Sequence, residues 1–154
     1  PLSDELEAVN LYLELESMRL ENRFSYEIIV DPDLDAKNIE IAPLVIQPFV
    51  ENAIIHGLVP KKGDCFLKIE ISKIDNEKLL CVIEDNGVGR RYSEKLKEMT
   101  GGGHKSYGMS ITRRRLEMLS KISNDDFSVD VVDLYDDNNK PEGTMVSIVL
   151  GFHD

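Results

Sequence analysis

Glu84-Asp85-Asn86-Gly87-Val88-Gly89 follows an apolar run, Leu79-Leu80-Cys81-Val82-Ile83, and precedes a polar, glycine-rich segment. The apolar run reads as a buried strand and the polar segment as a mobile loop. A carboxylate therefore sits at a strand end, with two glycines following at spacing two. That arrangement suits a nucleotide. An ionised Asp only accepts hydrogen bonds, so Asp85 can take one from an exocyclic amine such as that of adenine. Gly87 and Gly89 let the backbone approach a flat ring or a phosphate closely. Asp-x-Gly-x-Gly also reads as a plain turn, so the stretches around it decide.

Immediately upstream, residues 66–74 alternate as a strand. Asp75-Asn76-Glu77 turns the chain into the strand at 78–84, giving a hairpin. Before it, 43–57 reads as a helix, with Pro43 suited to its first turn and Gly57 to a C-terminal stop. Pro48 implies a kink or a later start. Ile46, Phe49, Val50, Ala53 and Ile54 share one face of this helix. Asn52 and His56, at i and i+4, stand together at its polar edge. Residues 24–30 alternate as a further strand. Residues 3–20 read as a helix with Ser3 as N-cap and Asp4, Glu5 and Glu7 at the positive end of its dipole. It carries two apolar stripes. Leu2, Leu6, Val9, Leu13 and Leu20 form one, and Leu11, Leu15 and Met18 form another nearly opposite. A helix apolar on two sides needs two covers. One is this domain and the other a partner or a segment outside the chain.

Downstream, residues 90–107 are polar, with Gly101-Gly102-Gly103 in the middle. A stretch of that length without periodicity is often a functional lid. Residues 108–122 return to helical period, with Arg115 inside the apolar arc. Its stem packs and its head pairs with a buried carboxylate, or it contacts a nucleotide. Two last strands are expected at 127–134 and 144–150. The order is helix, strand, helix, hairpin, lid, helix, hairpin. It predicts an α+β fold: a two-layer sandwich whose mixed, mainly antiparallel sheet carries all its helices on one face.

Three stretches can meet at one site. The 43–57 helix brings Asn52 and His56, and the strand end brings Asp85, Gly87 and Gly89. Ser106-Tyr107-Gly108-Met109 opens a helix, whose unpaired first amides suit phosphate oxygens. The amide oxygen of Asn52 is a hard ligand suited to Mg²⁺, which keeps several waters and bridges to phosphates. Plainer roles exist for the same residues. His56 can complement a helix C-terminus, and Asn52 can simply face solvent.

The 154 residues suit a single domain with a proper core, at 42% apolar and 31% charged residues. The net charge of −11 excludes a dense basic face for nucleic acid. Cys65 and Cys81 lie in strand-like runs without metal spacing and read as reduced core residues of a cytosolic protein. No apolar run approaches the ~20 residues that span a bilayer. The chain starts inside a helix start and reads as a fragment of a longer protein.

Residues 47–57 (QPFVENAIIHG) resemble the N box of the LytS-like, autolysin-regulator family of sensor histidine kinases. Residues 84–89 resemble its G1 box, and residues 106–119 (SYGMSITRRRLEML) its G2 box and following helix. Pro141-Glu142-Gly143-Thr144 resembles the Gly-Thr before its last strand. Residues 2–24 resemble the linker into this domain. The resemblance covers nearly the whole chain. It implies the Bergerat ATP-binding fold shared by gyrase, a heat-shock chaperone, histidine kinases and a mismatch-repair protein.

The resemblance also implies roles. Residues 1–22 would be a linker helix from a dimerisation and phosphoacceptor segment, and 23–154 the catalytic domain with its ATP lid at about 90–107. Asp85 would bind the adenine amine, and Gly87 and Gly89 would shape that pocket. Asn52 would hold Mg²⁺ and His56 would lie near the phosphates. Lys105, Ser106, Gly108 and Met109 would line the phosphate side, and Thr144 the base side. ATP and Mg²⁺ are the implied ligands. The implied partners are upstream helices that form a homodimer in the full-length protein, and a response regulator. The domain would be cytoplasmic and the full-length protein membrane-anchored, and neither nucleic acid nor membrane would touch the domain.

Three departures bear on activity. Ile55 stands where many relatives carry a Lys, and Ser106 where the G2 box often has a first glycine. Pro48 stands where the superfamily's hydrolases carry a Glu, so water activation is disfavoured and phosphoryl transfer favoured. His56, His104 and His153 are the only histidines. None lies on a two-helix segment, so the phosphoacceptor is expected outside this chain. The competing readings are a degenerate module that binds nucleotide or a partner without transfer, and a hydrolysing ATPase of the same fold.

Overall fold

The computed structural model describes residues 1–21, 23–90, 114, 117–118 and 127–153. Each alternating stretch forms a strand: β1 (Phe24–Val30), β2 (Cys65–Lys73), β3 (Lys78–Asp85), β4 (Phe127–Tyr135) and β5 (Pro141–Gly151). They make one sheet in the order β1-β2-β3-β5-β4. The β2–β3 hairpin is antiparallel, with Ile69 opposite Ile83. Strand β5 pairs antiparallel with both β3 and β4. Among the described strands, only β1 runs parallel to its neighbour, with Phe24 opposite Cys65. A parallel pair needs a long crossover, and residues 31–64 supply it. The sheet is therefore mixed and mainly antiparallel, as expected.

Alternation decides which side chains meet the helices. Leu67, Ile69 and Ile71 of β2, Leu79, Cys81 and Ile83 of β3, and Val146, Ile148 and Leu150 of β5 are buried. Helix α1 (Leu2–Arg19) covers them with Leu2, Val9 and Leu13, and helix α2 (Gln47–Asn52) with Phe49 and Val50. The opposite stripe of α1 is bare: Leu11 is 55%, Leu15 65% and Met18 74% exposed. Both cysteines are buried and free. Among the described residues, no helix is long and apolar enough to cross a membrane. Arg114, Glu117 and Met118 are helical and exposed, within the stretch expected to be a helix.

The second helix differs from expectation. It begins at Gln47, four residues after Pro43, and holds Pro48 in its first turn, where a missing N–H costs nothing. The reason lies far away in sequence. Glu5 is buried, and its carboxylate accepts from the backbone amides of Leu44 (2.8 Å), Ile46 (2.9 Å) and Gln47 (3.3 Å). It caps α2 from α1, in addition to any effect on its own helix dipole. Leu44 sits at φ 56°, a left-handed conformation strained for a branched residue, and its amide is one of those Glu5 holds.

Helix α2 then continues as a π-helical segment, Ala53–Leu58. Gly57 lies inside this segment and does not end the helix. Its lack of a side chain has another cause, at the site.

Candidate functional site

Asp85 ends β3, between Leu67 of β2 and Thr144 of β5. A central strand end is covered on both sides, so its side chain leaves solvent: Asp85 is 5% exposed. Its Oδ1 accepts from the Gly87 amide at 2.9 Å, and the Thr144 backbone amide also donates to the carboxylate. Burial pushes its pKa up to about 6, with the charge of Glu84 adding. The Gly87 and Thr144 amides and the Lys61 ammonium oppose that rise. A carboxylate has about four lone-pair sites. Two named backbone donors leave capacity for a ligand donor.

Glycines strip the surroundings of side chains. A Cβ on Gly57 would stand 2.9 Å from Asp85 Oδ1, and one on Gly87 would collide with the Gly57 backbone. Val88 donates its amide to the Gly57 carbonyl at 3.0 Å, which locks the turn after Asp85 onto the π-helical segment. Gly143, at φ +130°, would drive a Cβ into the Asp85 carbonyl. Gly57 and Gly143 are therefore part of the site, and periodicity gave no sign of either. Both stand inside quoted motifs, which was the available signal.

The turn is fixed on its other side by Asn86. Its Oδ1 accepts from the Phe66 amide at 2.7 Å, and its own amide donates to the Phe66 carbonyl at 3.2 Å. Its carbonyl accepts from Lys61 Nζ at 2.7 Å. Gly89 is buried, at φ +82°, against Pro141. Arg90 then makes a bidentate pair with Asp133 of β4, at 2.8 and 2.9 Å.

Asn52 is the last residue of α2 and is half-buried. Its Nδ2 is buried without a hydrogen-bond partner among the described residues. A buried, unpaired amide atom is uncommon in a folded protein and asks for an explanation. His56, in the π-helical segment, is half-buried. The carboxylate of Glu51 accepts from Gln47 Nε2 at 3.1 Å, one turn back. Asp85, Gly87, Gly89 and Thr144 thus cluster at one strand end, with the π-helical segment packed on it. Lys105, Ser106, Gly108, Met109 and Arg115 lie outside the described residues, as does nearly all of the expected lid.

No family model matches the chain. The sensor protein LytS of Oceanobacillus iheyensis is 32% identical over 160 residues, covering 100% of this chain and 25% of the relative. The chain spans no more than 40% of the length of the first curated relatives it matches. A mycobacterial sensor histidine kinase, MprB, superposes with a TM-score of 0.58 at 20% identity, over 96% of this chain and 94% of that one. The histidine kinase ThkA, in complex with its response regulator TrrA, superposes with a TM-score of 0.52 at 14% identity, over 97% and 40%. These likenesses show the same fold.

Proposed function

We propose that this chain, a homologue of the LytS sensor histidine kinases along its whole length and folded as histidine-kinase catalytic domains are, is the ATP-binding catalytic domain of a two-component sensor kinase. One observation carries the reading: a buried carboxylate at a central strand end, with spare acceptor capacity, ringed by glycines that would clash if they bore a Cβ. Such a site fits the edge of a flat base with an exocyclic amine.

The amide of Asn52 suits a metal–phosphate pair: it stands at the end of α2, and its Nδ2, unpaired among the described residues, is a donor fit for a phosphate oxygen. Its oxygen would be the protein's ligand to Mg²⁺, which takes few protein ligands and completes its shell with water and phosphate oxygens. When bound, Mg²⁺ neutralises phosphate charge. Asp85 would orient the base, with Thr144, Gly87 and Gly89 framing it. His56, Lys105, Ser106, Gly108 and Met109 would face the phosphates. The segment from about 90 to 107 would be the lid.

In the reaction, the bond from the γ-phosphorus to the β–γ bridging oxygen breaks and a P–N bond to a histidine outside this chain forms, leaving ADP. Such transfer rests mainly on positioning and charge neutralisation. Pro48 denies α2 a carboxylate one turn before Asn52, which supports transfer over hydrolysis. The phosphoryl group would pass on to an aspartate of a response regulator, the kind of partner ThkA has. The domain, from about residue 23, would be cytoplasmic, within a membrane-anchored homodimer. Residues 1–22 would lead in from the acceptor helices, which would dock on the bare stripe Leu11, Leu15 and Met18.

The test is phosphotransfer from radiolabelled ATP by the longer protein. Acid-labile, base-stable phosphohistidine that depends on Asp85 is expected. Nucleotide binding without phosphohistidine would leave a binding module instead.

A further inference from the structure

The loop after the π-helical segment is tied in two directions. The last four carbonyls of a helix have no partner within it. Here Arg23, just before β1, supplies one: its guanidinium donates to the carbonyls of Lys61 (2.5 Å), Gly63 (3.4 Å) and Val59 (3.5 Å). A rigid fork of donors suits several acceptors at once. Lys61 then reaches the other way, and its Nζ donates to the Asn86 carbonyl at 2.7 Å. Asn86 directly follows Asp85 in the chain. Lys61 is half-buried, whereas its neighbour Lys62 is exposed, so the two lysines of this loop are not equivalent.

We infer that Lys61 is a positioning and specificity residue of the base pocket: its ammonium holds the peptide after Asp85, and so sets that carboxylate for a base with an exocyclic amine, while Arg23 holds the loop that carries Lys61. The inference rests on the ATP-binding reading above and goes beyond it. The charges acting on Asp85 agree with it. Glu84 disfavours the ionised carboxylate, and Lys61 favours it. Arg23 and Asp64 flank the same loop beside Cys65, where Arg23 and Lys61 lower the thiol's pKa against burial and Asp64 raises it. His56 is the half-buried titratable group of the π-helical segment packed on this strand end.

The chemistry makes Lys61 readable through the base. Adenine offers an amine to an ionised carboxylate, whereas hypoxanthine offers a carbonyl oxygen at the same position. An ionised Asp85 repels that oxygen, and a protonated one donates its hydroxyl to it. Removing Lys61 therefore weakens ATP and narrows the preference for ATP over ITP.

The experiment titrates the chain, Lys61→Met and Lys61→Gln with the Mg²⁺ complexes of non-hydrolysable ATP and ITP analogues, and follows the Asp85 carboxyl carbon by NMR against pH without nucleotide. Lys61→Met is expected to bind the ATP analogue about tenfold more weakly, with a smaller ATP/ITP ratio and a higher carboxyl midpoint. Lys61→Gln, which keeps a donor without the charge, should show the same midpoint shift with a smaller loss of affinity. An unmoved carboxyl midpoint, or ATP binding by Lys61→Met within about twofold of the parent, overturns the inference. Failure of the parent chain to bind either analogue removes the ATP reading instead, and the carboxyl titration then still decides whether Lys61 sets Asp85.

Discussion

Asp85→Asn is expected to stabilise the chain at neutral pH while removing its preference for adenine. Burial holds the carboxyl at about 6, against 3.8 for the free group. The native state therefore binds more protons than the unfolded chain between those two values. Stability is highest below the lower value, falls as pH rises through the upper one, and is flat beyond it. A difference of about two pH units, at about 1.4 kcal/mol each, makes the ionised carboxylate cost about 3 kcal/mol at about pH 7.5 and about 1 kcal/mol at about pH 4.5. Asparagine never ionises and keeps an oxygen for the Gly87 amide. It gives up at most one of the two backbone bonds, about 1 kcal/mol at every pH. The expected gain is thus about 2 kcal/mol at about pH 7.5 and near zero at about pH 4.5. In a domain of this size the former is a rise of about 4–8 °C in Tm. Urea unfolding at both pH values measures it. An unfolding midpoint at the higher pH that is equal to or below the parent's, or a gain of the same size at both, would mean that burial does not hold the Asp85 carboxyl above its free value.

Three further outcomes follow from the packing. Glu5→Ala strips the shared acceptor from the Leu44, Ile46 and Gln47 amides and should cost about 2–4 kcal/mol in denaturant unfolding, with Glu5→Gln intermediate. Gly143→Ala sets a Cβ against the Asp85 carbonyl at φ +130°, and a loss of about 3 kcal/mol or more, read by circular dichroism on heating, is expected. Serine at Leu11, Leu15 and Met18 together should change this chain's stability by no more than about 0.5 kcal/mol per site, because all three are exposed. In the sensor kinase proposed above, the same triple change should weaken dimerisation in sedimentation. An unchanged dimer constant there would remove this stripe as the docking face.

Much of the architecture was legible because short-range patterns specify it. The alternation in 66–74 and 78–84, joined by Asp75-Asn76-Glu77, determined a hairpin, and the two stripes of α1 determined one buried and one bare face. The parallel pairing of β1 with β2 was not, since alternation tells which face a strand buries and nothing about its neighbour. The start of α2 misled for a similar reason. Pro43 is a good local signal, but the acceptor for the first amides is Glu5, in another helix. The π-helical segment has no local signature. It accompanies the fit of Gly57 against Asp85, a tertiary contact.

The site divides in the same way. That Asp85, Gly87, Gly89 and Thr144 come together was legible because they stand within motifs, and the first and last meet across β3 and β5; their contact with a nucleotide is the proposal. Lys61 was not. In Lys61-Lys62-Gly63 it looks like one of two solvated lysines, and only the fold turns it onto Asn86. Lys105, Ser106, Gly108 and Met109 lie outside the described residues, so their place in the site rests on the resemblance.

Calorimetric titration of this chain with a non-hydrolysable ATP analogue, with and without Mg²⁺, beside Asp85→Ala, decides whether the end of β3 holds a nucleotide. Binding that Mg²⁺ strengthens and Asp85→Ala abolishes is expected. A folded parent chain that binds no analogue would contradict the ATP-binding reading, and the buried carboxylate with its glycines would then belong to a partner-binding module.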